Sequence, residues 1–414
     1  MANWTTFGFS SKQRWPDPPT ATRRTPVRRV VSGTPMAPVP PLSARLFRAS
    51  ASYRLVEPGA LQPPLPTWLR AHATHPAFGG LLVPAADDFR VQRVVTRDTA
   101  RLFQRLARPG RAPRSVPSRA LRALVLDGVL EIHAGRRYLS GAAARSCCLP
   151  VGKETEPRSA TGMLSLAAMQ DAGALQLASP TVLARLLYHF NTLPASPAWR
   201  SRYPDSLSLE RELRRCVPRS AGLDAAVTAG KGAWLSWERA GCSSAPGAVW
   251  KLYVSPVPDQ LVPALGAASR QRDAFAMKVG RDVANILRPD KLVLYFNTPR
   301  QLARAARQLE RDLAGVPAHG VPFTGQTGAS ALLSWGVDPG GQGAAAPWSG
   351  DDSWRAWLTQ RLATAMVQAL KDPGCAVPSW CYAMERVSLD GVDVRTWAPS
   401  GRASGLSRAL HGAH

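Results

Sequence analysis

The sequence predicts an α+β protein: an antiparallel sheet with segregated helices in a C-terminal domain, preceded by a mostly helical, winged-helix-like N-terminal region. Three observations carry this. Beyond residue 246, short stretches alternate apolar and polar residues in succession, and the helical patterns are grouped instead of following every strand as a doubly wound parallel sheet requires. Residues 97–127 and 151–245 repeat their apolar residues at helical spacing. The chain has 414 residues and 45% hydrophobic content, enough for a large core, which excludes disorder throughout.

Residues 1–42 carry paired arginines at 23–24 and 28–29, end in PMAPVPP and lack apolar periodicity, so a flexible basic arm is expected. Residues 43–150 form the winged-helix-like docking region. In it RDTARLFQRLAR puts Ala100, Phe103, Leu106 and Ala107 on one helical face. A second helix from Ser118 to about Asp127 stops at Gly128, and VLEIHAGRRYLSG turns as a hairpin at Ala134 and Gly135. That second helix presents Arg119 and Arg122 but is otherwise apolar, which suits peptide docking or a structural role better than DNA reading.

Residues 151–245 read as helical, with SPTVLARLLYHFNTLP and SLSLERELRRC the clearest elements and His189 a core histidine. From 246 to 400 the α+β domain begins with VWKLYVS, FAMKVG and KLVLYF. Each strand has one apolar face and one face bearing a lysine. Thr298 and Pro299 cap a helix whose stripe is Leu302, Ala306, Leu309 and Leu313. A strand pair follows around HGVPFTGQ and ASALLSWGVD. A helix from near Asp352 then turns Trp354, Leu358, Leu362, Met366 and Leu370 inward, CYAMERVSL reads as a closing strand, and 401–414 is a tail.

Lys and Arg total 52 against 28 Asp and Glu, a net charge of +24 that predicts attraction to anionic partners. Only 7 of those cations are lysines, however, and arginine beside abundant Ala, Pro and Gly is also what high-GC codon usage yields. No lysine-rich block marks a nucleic-acid arm, and neither nucleic acid nor membrane is expected as a partner. No apolar run is long enough for a membrane span, and MANWTTFGFSSKQRWPDPP lacks the stretch of a secretory signal, so a soluble, cytoplasmic protein is expected. The six cysteines have no zinc-ligand spacing and read as free thiols.

Three of the 7 lysines, Lys251, Lys278 and Lys291, fall within 41 residues, each on the face its apolar neighbours leave open. Arg288 precedes the third strand, and Tyr253 and Tyr295 share the lysine faces. On adjacent strands these groups would surround one cleft, with Arg288 gripping a phosphate by a bidentate fork. A lysine among like charges loses basicity and can become a general base. The alternative is a solvated face that defends a sheet edge. The sequence holds no nucleophile elbow, Walker loop, HExxH or kinase motif.

KLYVSP at 251–256, AMKVGRDVANILRPDKLVLYF at 276–296, HGVPFTG at 319–325, LLSWGVDP at 332–339 and the later SWRAW and GVDVRTWAP resemble the HopA-type effector family. That family includes the lyase components of class V lanthipeptide synthetases and is distantly related to the phosphothreonine lyases of type III secretion systems. The resemblance spans about residues 185–400. It implies a phospholyase domain at 246–400 that β-eliminates phosphate from phosphoserine or phosphothreonine of a precursor peptide, giving dehydroalanine or dehydrobutyrine. It further implies a separate kinase partner and no metal or organic cofactor.

By motif, Lys278 resembles the lysine base and Arg288 the phosphate-gripping arginine. Lys251 matches the lysine of the Lys-x-His pair, and Tyr295 a tyrosine of the later strand. Lys291 would add charge against the phosphate. The pair's histidine is Tyr253 here, so the acid for the leaving group is open among Tyr253, His319 and Lys251. Arg355 is the nearest match to a further phosphate-binding arginine. A non-catalytic phosphopeptide scaffold for a kinase and precursor complex, and a type III effector-like protein, are the competing readings.

Overall fold

A computed structural model describes residues 42–86, 92–149, 156–157, 159–218, 221–225, 232–242, 249–338 and 353–400. The expected tail, and all of the expected arm except Leu42, lie outside them. The described residues fall in one compact unit.

The N-terminal third carries β1 (Leu46–Ala49), β2 (Tyr53–Val56), α1 (Thr67–Ala73), β3 (Phe78–Pro84), β4 (Arg93–Thr96), α2 (Arg97–Arg105), β5 (Gly110–Arg111), α3 (Ser118–Leu126), β6 (Leu130–Ala134), β7 (Arg137–Leu139) and α4 (Arg145–Cys148). The order β5-β1-β6-β7 makes one antiparallel sheet and β2-β3-β4 another. Helices α2 and α3 followed by the β6–β7 hairpin give the helix, helix, wing order read from the sequence. The Thr96 side chain accepts from Thr99 N to cap α2, and Gly135 takes φ +65° in the hairpin turn. Leu106, Leu121, Val125, Leu126, Phe47 and Ile132 are buried in a core that continues into the last helices of the chain.

The middle stretch supplies α5 (Ala160–Ala174), α6 (Pro180–His189), α7 (Pro197–Arg202) and α8 (Ser206–Arg215), then β8 (Leu223–Ala225) and β9 (Trp234–Arg239). The helical reading therefore fails at its end. Trp234–Arg239 alternates as a strand and pairs with residues 276–280. His189, expected in the core, is exposed at the last residue of α6, while Leu183, Ala184 and Leu187 fill the buried side.

The remainder comprises β10 (Trp250–Val254), α9 (Leu261–Ser269), β11 (Ala276–Gly280), α10 (Val283–Ile286), β12 (Leu292–Phe296), α11 (Pro299–Asp312), β13 (Gly325–Gln326), β14 (Leu333–Val337), α12 (Trp354–Lys371), α13 (Ser379–Ser388), β15 (Val392–Asp393) and β16 (Ala398–Pro399). Seven strands form an antiparallel sheet in the order β13-β14-β10-β12-β11-β9-β8. Trp250, Leu252, Leu294, Met277 and Trp335 point to one face and pack with Leu265, Leu302 and Leu309 of α9 and α11. The expected closing strand CYAMERVSL is instead helical, lying in α13 up to Ser388 with Leu389 as its C-cap. Tyr382, Ala383, Met384, Arg386 and Val387 are buried there as one helical face, which pairs with α12. Leu370, expected inward on α12, is exposed.

Candidate anion site on the second face of the sheet

Strand alternation sends Lys251 and Tyr253 of β10, Val293 and Tyr295 of β12, and Lys278 of β11 to the face opposite the α9 and α11 layer. Register brings them together. Lys251 lies opposite Tyr295, Lys278 opposite Val293, and Val293 opposite Tyr253. Two helices lean onto this face. Gly336 on β14 allows one of them: a Cβ there would stand 2.6 Å from Trp354 Cδ1, so only glycine lets the first turn of α12 lie so close. Asp338 fixes the same turn by accepting from Trp354 N at 3.0 Å, and its other oxygen pairs with Lys251 Nζ at 2.5 Å.

The result is a row of alternating cations and aromatic rings. Lys251 Nζ stands 5.4 Å and Lys278 Nζ 5.8 Å from the centre of the Tyr295 ring. Lys278 Nζ lies 4.4 Å from the Trp234 ring, and the Arg288 guanidinium 5.2 Å from the same ring. Arg288 continues to Tyr188 of α6 at 5.3 Å, and Arg355 of α12 stands over that ring at 4.6 Å. Contacts of this length attract each cation to the ring face. Lys278, Trp234, Arg288, Tyr188 and Tyr295 are half-buried, whereas Tyr253, Lys251, Asp290 and Arg355 behind them are buried.

Asp290 ties the far end together. It accepts Arg288 Nε on one oxygen and Nη2 on the other, both at 2.9 Å, and Tyr188 Oη at 3.2 Å. Arg355 Nη1 stands 2.8 Å from Asp290 Oδ2 but its N–H is not aimed at the oxygen, so the contact is an ion pair and not a hydrogen bond. Arg355 Nε donates to Pro322 O and its Nη2 to Tyr188 O. Burial would push the Asp290 carboxyl up, but Arg288 and Arg355 hold it well below the ordinary carboxylate range.

Lys278 differs from its neighbours. Lys251, Arg288 and Arg355 each pair with a carboxylate, while Lys278 has no ion pair or hydrogen bond among the described residues. Burial lowers its basicity and the Arg288 charge acts in the same direction, against Tyr188, Asp290 and Asp338. Burial also lifts the Tyr253 and Tyr295 phenols above their ordinary value, so both keep their protons.

Of the six residues singled out from the sequence, the structure gathers Lys251, Tyr253, Lys278, Arg288 and Tyr295. Two expectations change. Lys291, expected among the phosphate ligands, is fully buried, and its Nζ donates to Pro256 O at 2.9 Å and meets His319 Nδ1 at 2.7 Å. Nε2 of His319 is engaged in turn, 2.6 Å from Asn191 O, so neither ring nitrogen of that candidate acid is free. Of the two forked edges of the Arg288 guanidinium, Asp290 takes the Nε/Nη2 one, which leaves the end-on Nη1/Nη2 one for the expected phosphate. Arg355, reached only by motif, stands at the site. Sequence reasoning missed Trp234, Tyr188, Asp290 and Asp338. Asp290 carried a signal, since in RPDK it stands at the entry to a lysine strand, whereas Asp338 in GVDP follows a strand without lysine.

No protein-family model matches the chain, and no curated protein does. Among solved structures, it is similar to an effector protein from Pseudomonas syringae pv. tomato at TM-score 0.39 and 12% identity, over 58% of this chain and 98% of that one. An effector protein from Pseudomonas syringae pv. syringae gives TM-score 0.38 and 15% identity over the same shares, 58% and 98%. The phosphothreonine lyase SpvC, an effector protein from Salmonella, gives TM-score 0.25 and 16% identity over 42% of this chain and 90% of that one. At these scores the likenesses carry no argument about chemistry, which rests on the site's own geometry.

Proposed function

We propose that the second face of the sheet binds a phosphomonoester and eliminates it, making the chain a phosphoserine/phosphothreonine lyase. The observation that supports this is Lys278: a half-buried amine of lowered basicity, without a carboxylate partner, between two aromatic rings and beside Arg288. Burial and the Arg288 charge disfavour the ammonium there, and the neutral form of the amine is a general base.

In the reaction, Lys278 Nζ takes the Cα proton and the Cα electrons form the Cα=Cβ bond. The Cβ–Oγ bond breaks, and phosphate leaves with that electron pair. Lys251 and Arg288 offset the charge developing on the enolate and on the leaving group, a kind of stabilisation that commonly dominates such steps. Tyr253 keeps its proton and lies on the same face, so it is the candidate donor to the leaving oxygen.

The fuller reading places this elimination in lanthipeptide biosynthesis in the cytoplasm, on a ribosomally made precursor phosphorylated by a separate kinase. The product would carry dehydroalanine or dehydrobutyrine. Among the described residues no helix is long and apolar enough to cross a membrane. Mass spectrometry of phosphoserine and phosphothreonine peptides incubated with the protein tests the chemistry. Loss of phosphoric acid with wild type, and none with Lys278→Ala that still binds the peptide, is the expected result. Equal binding with no loss by wild type, even on leader-bearing precursor with the kinase present, would leave a phosphopeptide-binding scaffold.

A further inference from the structure

Arg288 has little freedom. One face of its guanidinium lies toward Tyr188 at 5.3 Å and Trp234 is at 5.2 Å, while Nε–H and one N–H of Nη2 go to the two oxygens of Asp290. The edge that remains is the end-on one, where Nη1 and the second N–H of Nη2 lie side by side. Arg355, 1% exposed, directs its other two nitrogens at Pro322 O and Tyr188 O, so it holds the assembly from behind instead of meeting a ligand. A single carboxylate, Asp290, 4% exposed, thus joins Arg288, Arg355 and the Tyr188 hydroxyl, groups from the turn before β12 and from two helices.

We propose that Asp290 is a positioning residue for the anion site: it locks Arg288 so that a phosphomonoester is met by the end-on edge of the guanidinium, Nη1 with the second N–H of Nη2, beside Lys278 Nζ. This rests on the phosphate reading above. A free guanidinium can offer a planar carboxylate either of two forked edges, whereas one fixed edge set at an angle to a separate amine favours a tetrahedral anion that can address both directions. The price is a negative charge held close to the anion's seat.

That cost gives the proposal a sign that a simple competitor would not share. Replacing Asp290 by Asn adds one net positive charge to the site, so if the carboxylate merely occupied the arginine fork, the anion would bind more tightly. If Asp290 positions Arg288, binding weakens by roughly 10- to 100-fold, the size of one charge-assisted hydrogen bond lost.

The experiment is calorimetric titration of the full chain with a phosphoserine peptide and its dephosphorylated twin, for wild type, Asp290→Asn and Asp290→Glu. A second readout is the pH profile of Lys278 acylation by acetic anhydride, followed by peptide mapping. Lys278 faces Trp234 and Tyr295 and feels Tyr188, Asp290, Arg288 and Asp338, of which Asp290 favours the charged amine. The Asn variant is therefore expected to bind the phosphopeptide more weakly and to shift Lys278 labelling to lower pH, a shift that a purely structural defect would not produce. Should the Asn variant fail to fold, the Glu variant decides, since it keeps the charge and moves the carboxylate. Weakened binding supports positioning, and wild-type affinity overturns it. Equal or tighter binding by Asp290→Asn overturns the inference while leaving the phosphate site intact. No preference of wild type for the phosphorylated peptide overturns the functional reading and this inference with it.

Discussion

Replacing Lys291 by methionine isolates the cost of burying an ammonium beneath the sheet. Lys291 is fully buried, and burial pulls it down to about 7 against the partial opposition of Asp290. The unfolded chain keeps the same proton up to about pH 10.4, so between those values the unfolded state binds more protons and wild-type stability rises with pH. The full span is worth about 5 kcal/mol at ~1.36 kcal/mol per pH unit, less what the hydrogen bonds to Pro256 and His319 return to the charged form. Some 2.5 pH units into the window, near pH 9.5, wild type gains about 3 kcal/mol over its stability near pH 7. Methionine has no proton to lose and lacks this rise. It also leaves Pro256 O and His319 Nδ1 without their donor, a constant loss of about 1–3 kcal/mol for each acceptor. His319 is itself held down to about 4, so its native ring is neutral throughout this range, and the slope from the unfolded ring, which titrates near 6.5, is confined to the lowest pH and shared by wild type and variant. Denaturant unfolding at about pH 6.5, 8 and 9.5, followed by tryptophan fluorescence, is therefore expected to show the variant losing ground to wild type as pH rises. Parallel stability curves would refute the assignment of Lys291 as a neutral structural amine.

Beyond the loss of turnover in Lys278→Ala and the weakened binding in Asp290→Asn, two structural changes follow. Asp127 accepts Arg386 Nε at 2.7 Å and Arg93 Nη1 at 2.9 Å, with Arg386 Nη2 and Arg361 also close, so Asp127→Asn leaves three guanidinium groups short of a counter-charge. A loss of about 3–5 kcal/mol in urea unfolding is expected near neutral pH. Although burial opposes it, those arginines hold the Asp127 carboxyl well below its usual range, so this contribution is present above about pH 3.9 and fades as pH falls below that. Gly336→Ala puts a methyl 2.6 Å from Trp354 Cδ1 and is expected to cost about 1–3 kcal/mol by thermal unfolding. It should also weaken phosphopeptide binding, because the turn it displaces carries Arg355.

The three lysine strands, the Thr298-capped helix and the start of the helix at Trp354 were legible because each is written in its own few residues. A period of two or of 3.6 and a cap need no distant partner. Lys251, Lys278 and Tyr295 could be placed on one face for the same reason. What escaped is set by contacts far apart in the chain. Asp338 reaches Lys251, Tyr188 reaches Asp290, and Trp234 reaches Lys278 only once the sheet order β10-β12-β11-β9 is known. Lys291 was misplaced because alternation gives the side of a strand and says nothing of a buried acceptor beside it. The segment around Tyr382 carries both a two-residue and a four-residue apolar spacing, and packing against α12 decided for the helix.

The row of rings has a practical meaning for anyone cutting this chain. The three lysines and Arg288 all lie beyond residue 246, while Tyr188 and Trp234 lie before it. A fragment begun at that joint would retain the electrostatic attraction and forfeit the surfaces that space and shelter the cations. It would bind anions through loose, salt-sensitive charge alone. The smallest piece able to display this chemistry is therefore set by where the aromatic residues come from, and not by where the charges lie.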